Sequence, residues 1–166
     1  MRYRSRNYFI DALKAEKLAK KYSTPLYCYS FKRLRNNIIN FKKSFKVINP
    51  IICFAVKANS NRIILREIGK LGLGADVVSI GELIAALRSG IKTNKIVFSG
   101  VGKTEDELKY AIKKKILLIN AESENEIRTI EKIAKKEKRI VDIGIRINPN
   151  TDAKTLNQIS TGKKEN

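Results

Sequence analysis

The chain has 166 residues, 35 Lys and Arg against 16 Asp and Glu, a formal net charge of +19, and no His. The absence of His excludes a Ser-His-Asp triad, a Cys-His pair and imidazole metal ligands within this sequence, so we expect no metal site. A hydrophobic fraction of 43% predicts a folded chain, and this length by default forms one domain. The basic residues are scattered over every segment without forming a stripe, which favours a Lys-rich codon bias over a nucleic-acid partner.

The two cysteines, Cys28 and Cys53, lie in apolar stretches and lack the C-x-x-C spacing of redox or metal sites. This usage predicts a reduced, cytoplasmic protein. The basic N-terminus has no continuous apolar core of a signal peptide, and no run approaches the ~18 apolar residues of a membrane span. We therefore expect no membrane partner.

From the N-terminus onward, short β-rich runs alternate with amphipathic helical patterns. Their strand starts recur every ~20–25 residues after position 51, which is typical of successive βα units with a parallel sheet. S/T-x-x-E capping boxes mark three helix starts. The predicted strands cover 25–30, 51–56, 75–79, 95–99, 116–121 and 141–148; the predicted helices cover 31–45, 61–72, 80–89, 104–115 and 123–137; the boxes are Ser79/Glu82, Thr104/Glu107 and Ser123/Glu126.

This pattern predicts three parts of the chain. Residues 1–30 form an N-terminal segment with one strand, and residues 31–150 form βα units. Residues 151–166 are polar and aperiodic, as expected for a long loop that has been cut.

Side-chain alternation along two predicted strands separates a face of small residues from a bulky face. The small face of strand 51–56 leads to Lys57, and that of strand 141–148 leads through Gly144 to Arg146. The bulky residues suit the side that helices cover. The polar residues are therefore expected at the mouth of a β/α barrel, where such folds place their catalytic groups.

Lys57 is the strongest single candidate for chemistry. A partly desolvated Lys after an apolar strand is a nucleophile for carbonyl carbons and forms Schiff bases, as in aldolases and pyridoxal phosphate enzymes. The alternative is a strand-end Lys whose ammonium reaches solvent. The run SGVGKT (99–104) imitates a phosphate-binding loop, but Val97 stands where that motif needs Gly, and a helix cap explains Thr104.

Several motifs together resemble the diaminopimelate decarboxylases, which share the alanine racemase and ornithine decarboxylase fold. The resemblance extends in order from about Tyr22 to the end of the chain. It is carried by CFAVKANSN (53–61), LGLGADVVSIGEL (71–83), KIVFSGVGKTEDEL (95–108), RINPNTDAKT (146–155) and ISTGKKEN (159–166).

The resemblance implies an α/β fold: a partial (β/α)8 barrel of about five βα units, preceded by a segment that in the family joins a second β-domain. The implied cofactor is pyridoxal 5′-phosphate. Lys57 would be the catalytic residue, forming the Schiff base and later protonating the product carbanion. Asp76 and Arg146 match polar positions of the cofactor pocket; Glu82 matches another, with helix capping as its competing explanation.

The implied reaction is decarboxylation of meso-2,6-diaminopimelate to L-lysine, and the implied partners are that amino-acid substrate and a second copy of the family's full chain. The family's cofactor-stacking His, phosphate loop and β-domain have no counterpart in these 166 residues, and Leu156 stands where His is usual. We therefore expect an N-terminal fragment that is inactive without a complementary C-terminal fragment. The alternatives are a pyridoxal phosphate-binding homeostasis protein, a remnant of a split or degraded gene, and a basic interaction module.

Overall fold

The computed structural model describes residues 2–4 and 7–151. The chain separates into two compact units, Met1–Pro50 and Ile51–Asn166. The boundary expected at residue 30 stays a prediction, and the tail predicted for 151–166 lies outside the described residues except for Thr151.

The first unit contains a small antiparallel sheet and two helices. Strands β1 (Arg2–Arg4), β2 (Asn7–Ile10) and β3 (Leu13–Lys14) pair in the order β1-β2-β3. They are followed by α1 (Ala15–Tyr22) and α2 (Phe31–Ser44). Ser30 begins α2, since its Oγ accepts a hydrogen bond from the backbone N–H of Arg33 at 3.1 Å and donates one to Asp11 Oδ1 at 2.7 Å. The helix predicted for 31–45 is therefore confirmed.

The single strand predicted for the N-terminal segment is wrong in place and number. Residues 25–30 form no strand, whereas three strands and α1 lie before them. The β-rich composition of 25–30 misled the prediction because a strand also needs a neighbouring edge to pair with, and Pro25 removes one donor. Tyr27 and Tyr29 are exposed, which shows that neither packs into a core of the described residues.

The second unit is a parallel sheet whose strands alternate with helices. The strand order β4-β5-β6-β7-β8 follows the chain, as in a barrel and unlike a doubly wound sheet. The elements are β4 (Cys53–Ala55), α3 (Arg62–Lys70), β5 (Gly74–Val77), α4 (Ile80–Arg88), β6 (Ile96–Phe98), α5 (Glu105–Lys114), β7 (Leu118–Ala121), α6 (Glu124–Lys136) and β8 (Ile143–Ile145). The βα series predicted from position 51 is confirmed, with shorter strands.

The core of this unit lies between the sheet and its helices. Alternate strand residues are fully buried on the helix side, and each such Val, Ile or Phe side chain contributes about 1.5–3 kcal/mol of burial free energy. The strands supply Ala75, Val77, Ile96, Phe98 and Ile119, and the helices supply Leu65, Ile68, Leu83 and Leu108.

Val56, on the bulky face predicted for 51–56, is fully buried, whereas the helix-covered face predicted for 141–148 is not found among the described residues. Ile143 and Ile145, expected beneath a helix, are 37% and 66% exposed, because β8 ends the sheet order and no described helix covers that face. At the other edge, β4 ends at Ala55, and Val56–Ala58 form a 3-10 turn instead of continuing the strand.

At the starts of α4, α5 and α6, the predicted Ser or Thr accepts a hydrogen bond from the helix backbone. Only in α5 does the glutamate of the predicted capping box also bond back to the backbone of the capping residue. In α5, Thr104 Oγ1 accepts from the N–H of Glu107 at 3.3 Å and Glu107 Oε2 accepts from the N–H of Thr104 at 2.9 Å. In α4 and α6 the glutamate reaches one residue further back, so that Glu82 accepts from Val78 N and Glu126 from Glu122 N. Those two carboxylates therefore secure the strand ends. No helix in the described part of the chain is long and apolar enough to cross a membrane.

Gly74 marks the closest approach between strands. A Cβ at this position would collide with the carbonyl oxygen of Lys95 and lie 2.8 Å from Cys53 Sγ. Because backbone cannot yield cheaply, we expect Gly74→Ala to lower the free energy of unfolding by about 3 kcal/mol, measured by urea denaturation. Gly102→Ala is the matched control, since nothing lies within 4 Å of its Cβ. Equal stability of the two variants would contradict this account.

Glu107 generates a pH-dependent prediction. Hydrogen bonds from the backbone of Thr104, then of Ile80, lower the pKa of Glu107. Its stabilising effect is therefore complete above the ordinary glutamate value, about 4.3, and is lost as the pH falls through the lowered native value. We expect Glu107→Gln to cost about 1 kcal/mol at neutral pH, with the difference from wild type shrinking as the pH falls below the ordinary glutamate value.

The measurement is urea denaturation across that pH range, with Glu105→Gln as control. Glu105 also begins α5, but its carboxylate is exposed, and the ion pair that it forms among the described residues is with Lys132, at 3.5 Å. A difference for Glu107→Gln that stays constant with pH would show that the carboxylate charge is not what stabilises the turn.

Candidate active site

The three predicted site residues lie at one edge of the parallel sheet. Lys57 follows β4, Asp76 lies near the carboxyl end of β5, and Arg146 follows β8. Parallel pairing fixes this arrangement, since all carboxyl ends of such strands meet at the same edge. The structure thus brings residues 57, 76 and 146 to one face of the second unit.

Lys57 is held by the 3-10 turn and not by the strand. It lies two residues after Ala55, whose register partner is Asp76, and the turn contacts β5. Its neighbour Val56 is fully buried and anchors the turn, while Lys57 itself is exposed. The desolvation expected from the sequence is not found in the described residues, because the turn carries the side chain beyond the strand.

Asp76 is oriented by a hydrogen-bond ladder across three strands. Ser99, just after β6, donates to Asp76 Oδ1 at 2.7 Å, and Asn120 of β7 donates from Nδ2 to Ser99 Oγ at 3.0 Å. The next strand contributes Gly144, where a Cβ would collide with Asn120 Oδ1. The carboxylate of Asp76 is therefore fixed from one side by neutral partners.

Cys53 lies on the same interior face as Asp76. Burial, followed by the nearby charge of Asp76, raises the pKa of the Cys53 thiol. Its Sγ lies 3.6 Å from the carbonyl oxygen of Lys95. Because the thiolate is the nucleophilic form, this shift makes Cys53 a weaker nucleophile than an ordinary thiol.

Arg146 is paired with a carboxylate that the sequence did not single out. Its backbone N–H donates to Ala121 O at 3.0 Å, and its Nη1 lies 3.1 Å from Glu122 Oε2. The Glu122 side chain is only 7% exposed, against 44% for Arg146. Glu122 also accepts from the N–H of Gly100 at 2.9 Å through its other oxygen, Oε1.

The residues that sequence reasoning missed are Ser99, Asn120 and Glu122. Asn120 had a readable signal, since it is a polar residue at an inward position of the apolar run ILLINA (116–121). Glu122 had none, because it lies beside the capping residue Ser123 and the partners of its carboxylate are more than twenty positions away in sequence. The carboxylate of Glu82 accepts from Val78 N at the end of β5, not from Ser79 N as the capping box predicts, and its place in the cofactor pocket stays a prediction.

Lys57, Asp76 and Arg146 together offer the groups that would bind a cofactor carrying an aldehyde. The amine of Lys57, the carboxylate of Asp76 and the guanidinium of Arg146 lie at the same ends of the strands. The neighbouring residues Ala55 and Gly144 are small. Among the described residues no cluster of three or more Cys, Asp or Glu could hold a metal ion. The primary amine at these strand ends is the group that favours covalent carbonyl chemistry, through Lys57.

Comparison with known proteins agrees with this geometry. The family described as "Pyridoxal-dependent decarboxylase, pyridoxal binding domain" matches residues 31–166. A diaminopimelate decarboxylase of Helicobacter pylori strain J99 is 52% identical over 91% of the chain, and one of Aquifex aeolicus is 41% identical over 99%. The chain spans 37% and 39% of the lengths of these two relatives.

Solved structures show the same fold. Helicobacter pylori diaminopimelate decarboxylase complexed with L-lysine has a TM-score of 0.87 and 50% identity, covering 91% of this chain and 38% of that one. The diaminopimelate decarboxylase from "m. jannaschi" has a TM-score of 0.88 and 38% identity, covering 99% and 39%. The predicted fold class, an α/β chain forming part of a (β/α)8 barrel, is confirmed, and so at the family level is the cofactor, pyridoxal phosphate. The chain belongs to the pyridoxal-dependent decarboxylases and carries most of its length in their pyridoxal-binding domain.

Proposed function

We propose that this chain supplies the lysine-bearing part of a diaminopimelate decarboxylase, which converts meso-2,6-diaminopimelate to L-lysine in the cytoplasm. The observation that carries the proposal is the position of Lys57 at the carboxyl ends of the strands. It follows β4 and lies two residues after Ala55, the register partner of Asp76 on β5. The identity to relatives of that name supports the substrate assignment.

Lys57 would hold the cofactor aldehyde through Nζ. The side chain is exposed and forms no ion pair among the described residues, so Nζ is accessible to an aldehyde. When bound, pyridoxal phosphate supplies an electron-withdrawing ring that accepts the electron pair left by the departing carboxylate. Once a substrate amine has displaced it, Lys57 Nζ can carry the proton that returns to the substrate carbon.

Asp76 and Arg146 orient what Lys57 holds. The Ser99 hydroxyl fixes one oxygen of Asp76, and Glu122 fixes the guanidinium of Arg146. A fixed anion and a fixed cation stabilise charge without rearranging during the reaction, which is the source of most electrostatic catalysis.

The remaining site components must come from outside the described residues. Eight strands close a barrel of this kind, and the sheet leaves the outer edges of β4 and β8 unpaired. We propose that further strands, in the same or a complementary chain, pair with these edges, and that the complete enzyme is a homodimer. The five-stranded unit alone is inactive on this proposal, whereas the alternative of a homeostasis protein would need cofactor binding without decarboxylation.

The first test is covalent trapping. Borohydride reduction of the full chain with pyridoxal phosphate should attach the cofactor to Lys57, and Lys57→Ala should remove that adduct, as mapped by peptide mass spectrometry. Lys92→Ala is the control, because Lys92 is also exposed but lies in the turn that precedes β6. Equal labelling of both lysines would mean that position 57 has no special reactivity, and the proposal would fail.

The second test supplies the missing barrel strands. A chimera joins this chain to the part of the Helicobacter pylori relative that follows the matched region. We expect carbon dioxide release from meso-diaminopimelate, reduced at least ~10²- to 10⁴-fold by Lys57→Ala. A folded chimera that binds the cofactor but releases no carbon dioxide would instead support the homeostasis alternative.

A further inference from the structure

Four residues beyond the strand ends form a closed ring of polar contacts, here called the loop ring. Gly100 N–H donates to Glu122 Oε1 at 2.9 Å, and Glu122 N–H donates to Glu126 Oε2 at 2.8 Å. Glu126 Oε1 lies 2.8 Å from Lys103 Nζ, which donates in turn to the carbonyl oxygen of Gly100. The loop ring therefore joins the connections after β6 and β7.

The loop ring is buried and carries paired charges. The side chains of Lys103, Glu126 and Glu122 are 0%, 11% and 7% exposed, and Lys103 Nζ lies 5.7 Å from the centre of the Phe98 ring. Gly100 has a φ of +105°, which a residue with a side chain rarely adopts. Buried ion pairs are costly to break because each partner is left unpaired, so this ring fixes its members firmly.

Glu122 has one oxygen inside the loop ring and the other outside it. Oε2 lies 3.1 Å from Nη1 of Arg146, which follows the edge strand β8 and is 44% exposed. A long exposed side chain at a sheet edge samples many rotamers unless a fixed partner holds it. Glu122 is such a partner, because its backbone N–H and Oε1 are both tied down.

We propose that Glu122 is a positioning residue, which aims the guanidinium of Arg146 into the cofactor site while the Lys103–Glu126 pair locks Glu122 itself. The inference rests on the proposed function for the role of Arg146. It assigns the run SGVGKT (99–104) to the support of the site through Gly100 and Lys103.

The first readout needs no cofactor. In the full chain, 2,3-butanedione modification of Arg146, followed by mass spectrometry, should be about tenfold faster in Glu122→Gln than in wild type. Glu124→Gln is the matched control, since Glu124 is two residues away but exposed and paired with Arg128. If Glu122→Gln does not fold, Glu122→Asp keeps the charge but is too short to span Gly100 N and Arg146, and the same increase is expected.

The second readout is a double-mutant cycle on pyridoxal phosphate affinity, measured by the concentration dependence of trapping at Lys57. Glu122→Gln and Arg146→Gln should each weaken binding about tenfold. Because Glu122 acts through Arg146, the double variant should match Arg146→Gln within about twofold.

Two outcomes would overturn the positioning role: losses that add in the double variant, or a Glu122→Gln affinity equal to that of Glu124→Gln. An Arg146→Gln variant that binds normally would also overturn it, while trapping at Lys57 would leave the proposed function intact. Loss of specific trapping at Lys57 in the wild-type chain would overturn the proposed function itself.

Discussion

Parallel strand pairing is the constraint on which the rest of the second unit depends. It places every strand's carboxyl end at one edge, and its pleat sends alternate side chains toward the helices or away from them. Ala75 and Val77 thus join the core while Asp76, between them, lies on the opposite face. The absence of a Cβ at Gly74 allows this packing, since the carbonyl of Lys95 occupies that space. One face of the paired sheet therefore carries core residues, and the other carries residues of the candidate site.

The polar groups at the carboxyl ends of the strands form hydrogen bonds and ion pairs with one another. This pairing explains how so apolar a sheet tolerates them. An unpaired buried polar group costs about 1–3 kcal/mol, so each must find a partner among neighbouring strands. The Ser99 hydroxyl donates to Asp76 and accepts from Asn120. The Glu122 carboxylate accepts from the N–H of Gly100 and from the guanidinium of Arg146. The resulting order is what catalysis needs, because groups that already have fixed partners do not reorganise when charge develops.

Sequence patterns predicted the helices, because a helix depends on interactions between residues close together in the chain. Helix period and capping residues located α3 to α6, since a cap and its partner lie within one turn of each other. The first 30 residues resisted prediction, because strands of two to four residues are defined by their antiparallel partners and not by their own composition. At the site, Lys57, Asp76 and Arg146 were predicted by motif. The contact between Glu122 and Gly100 joins residues 22 positions apart and becomes visible only when strands β6 and β7 pair.

The edge strand β8 shows why this unit is part of a larger site. Its bulky residues Ile143 and Ile145 fit a helix-covered face, yet both are exposed, and its outer backbone edge has no partner in the described residues. A covering helix and a further strand would satisfy both features at once, as the next βα unit of a barrel does. Arg146 stands at this boundary, held from one side by Glu122. On the proposed function, the described strands carry Lys57 and the charges that orient the cofactor, and a βα unit paired with β8 would bring its own groups beside Arg146.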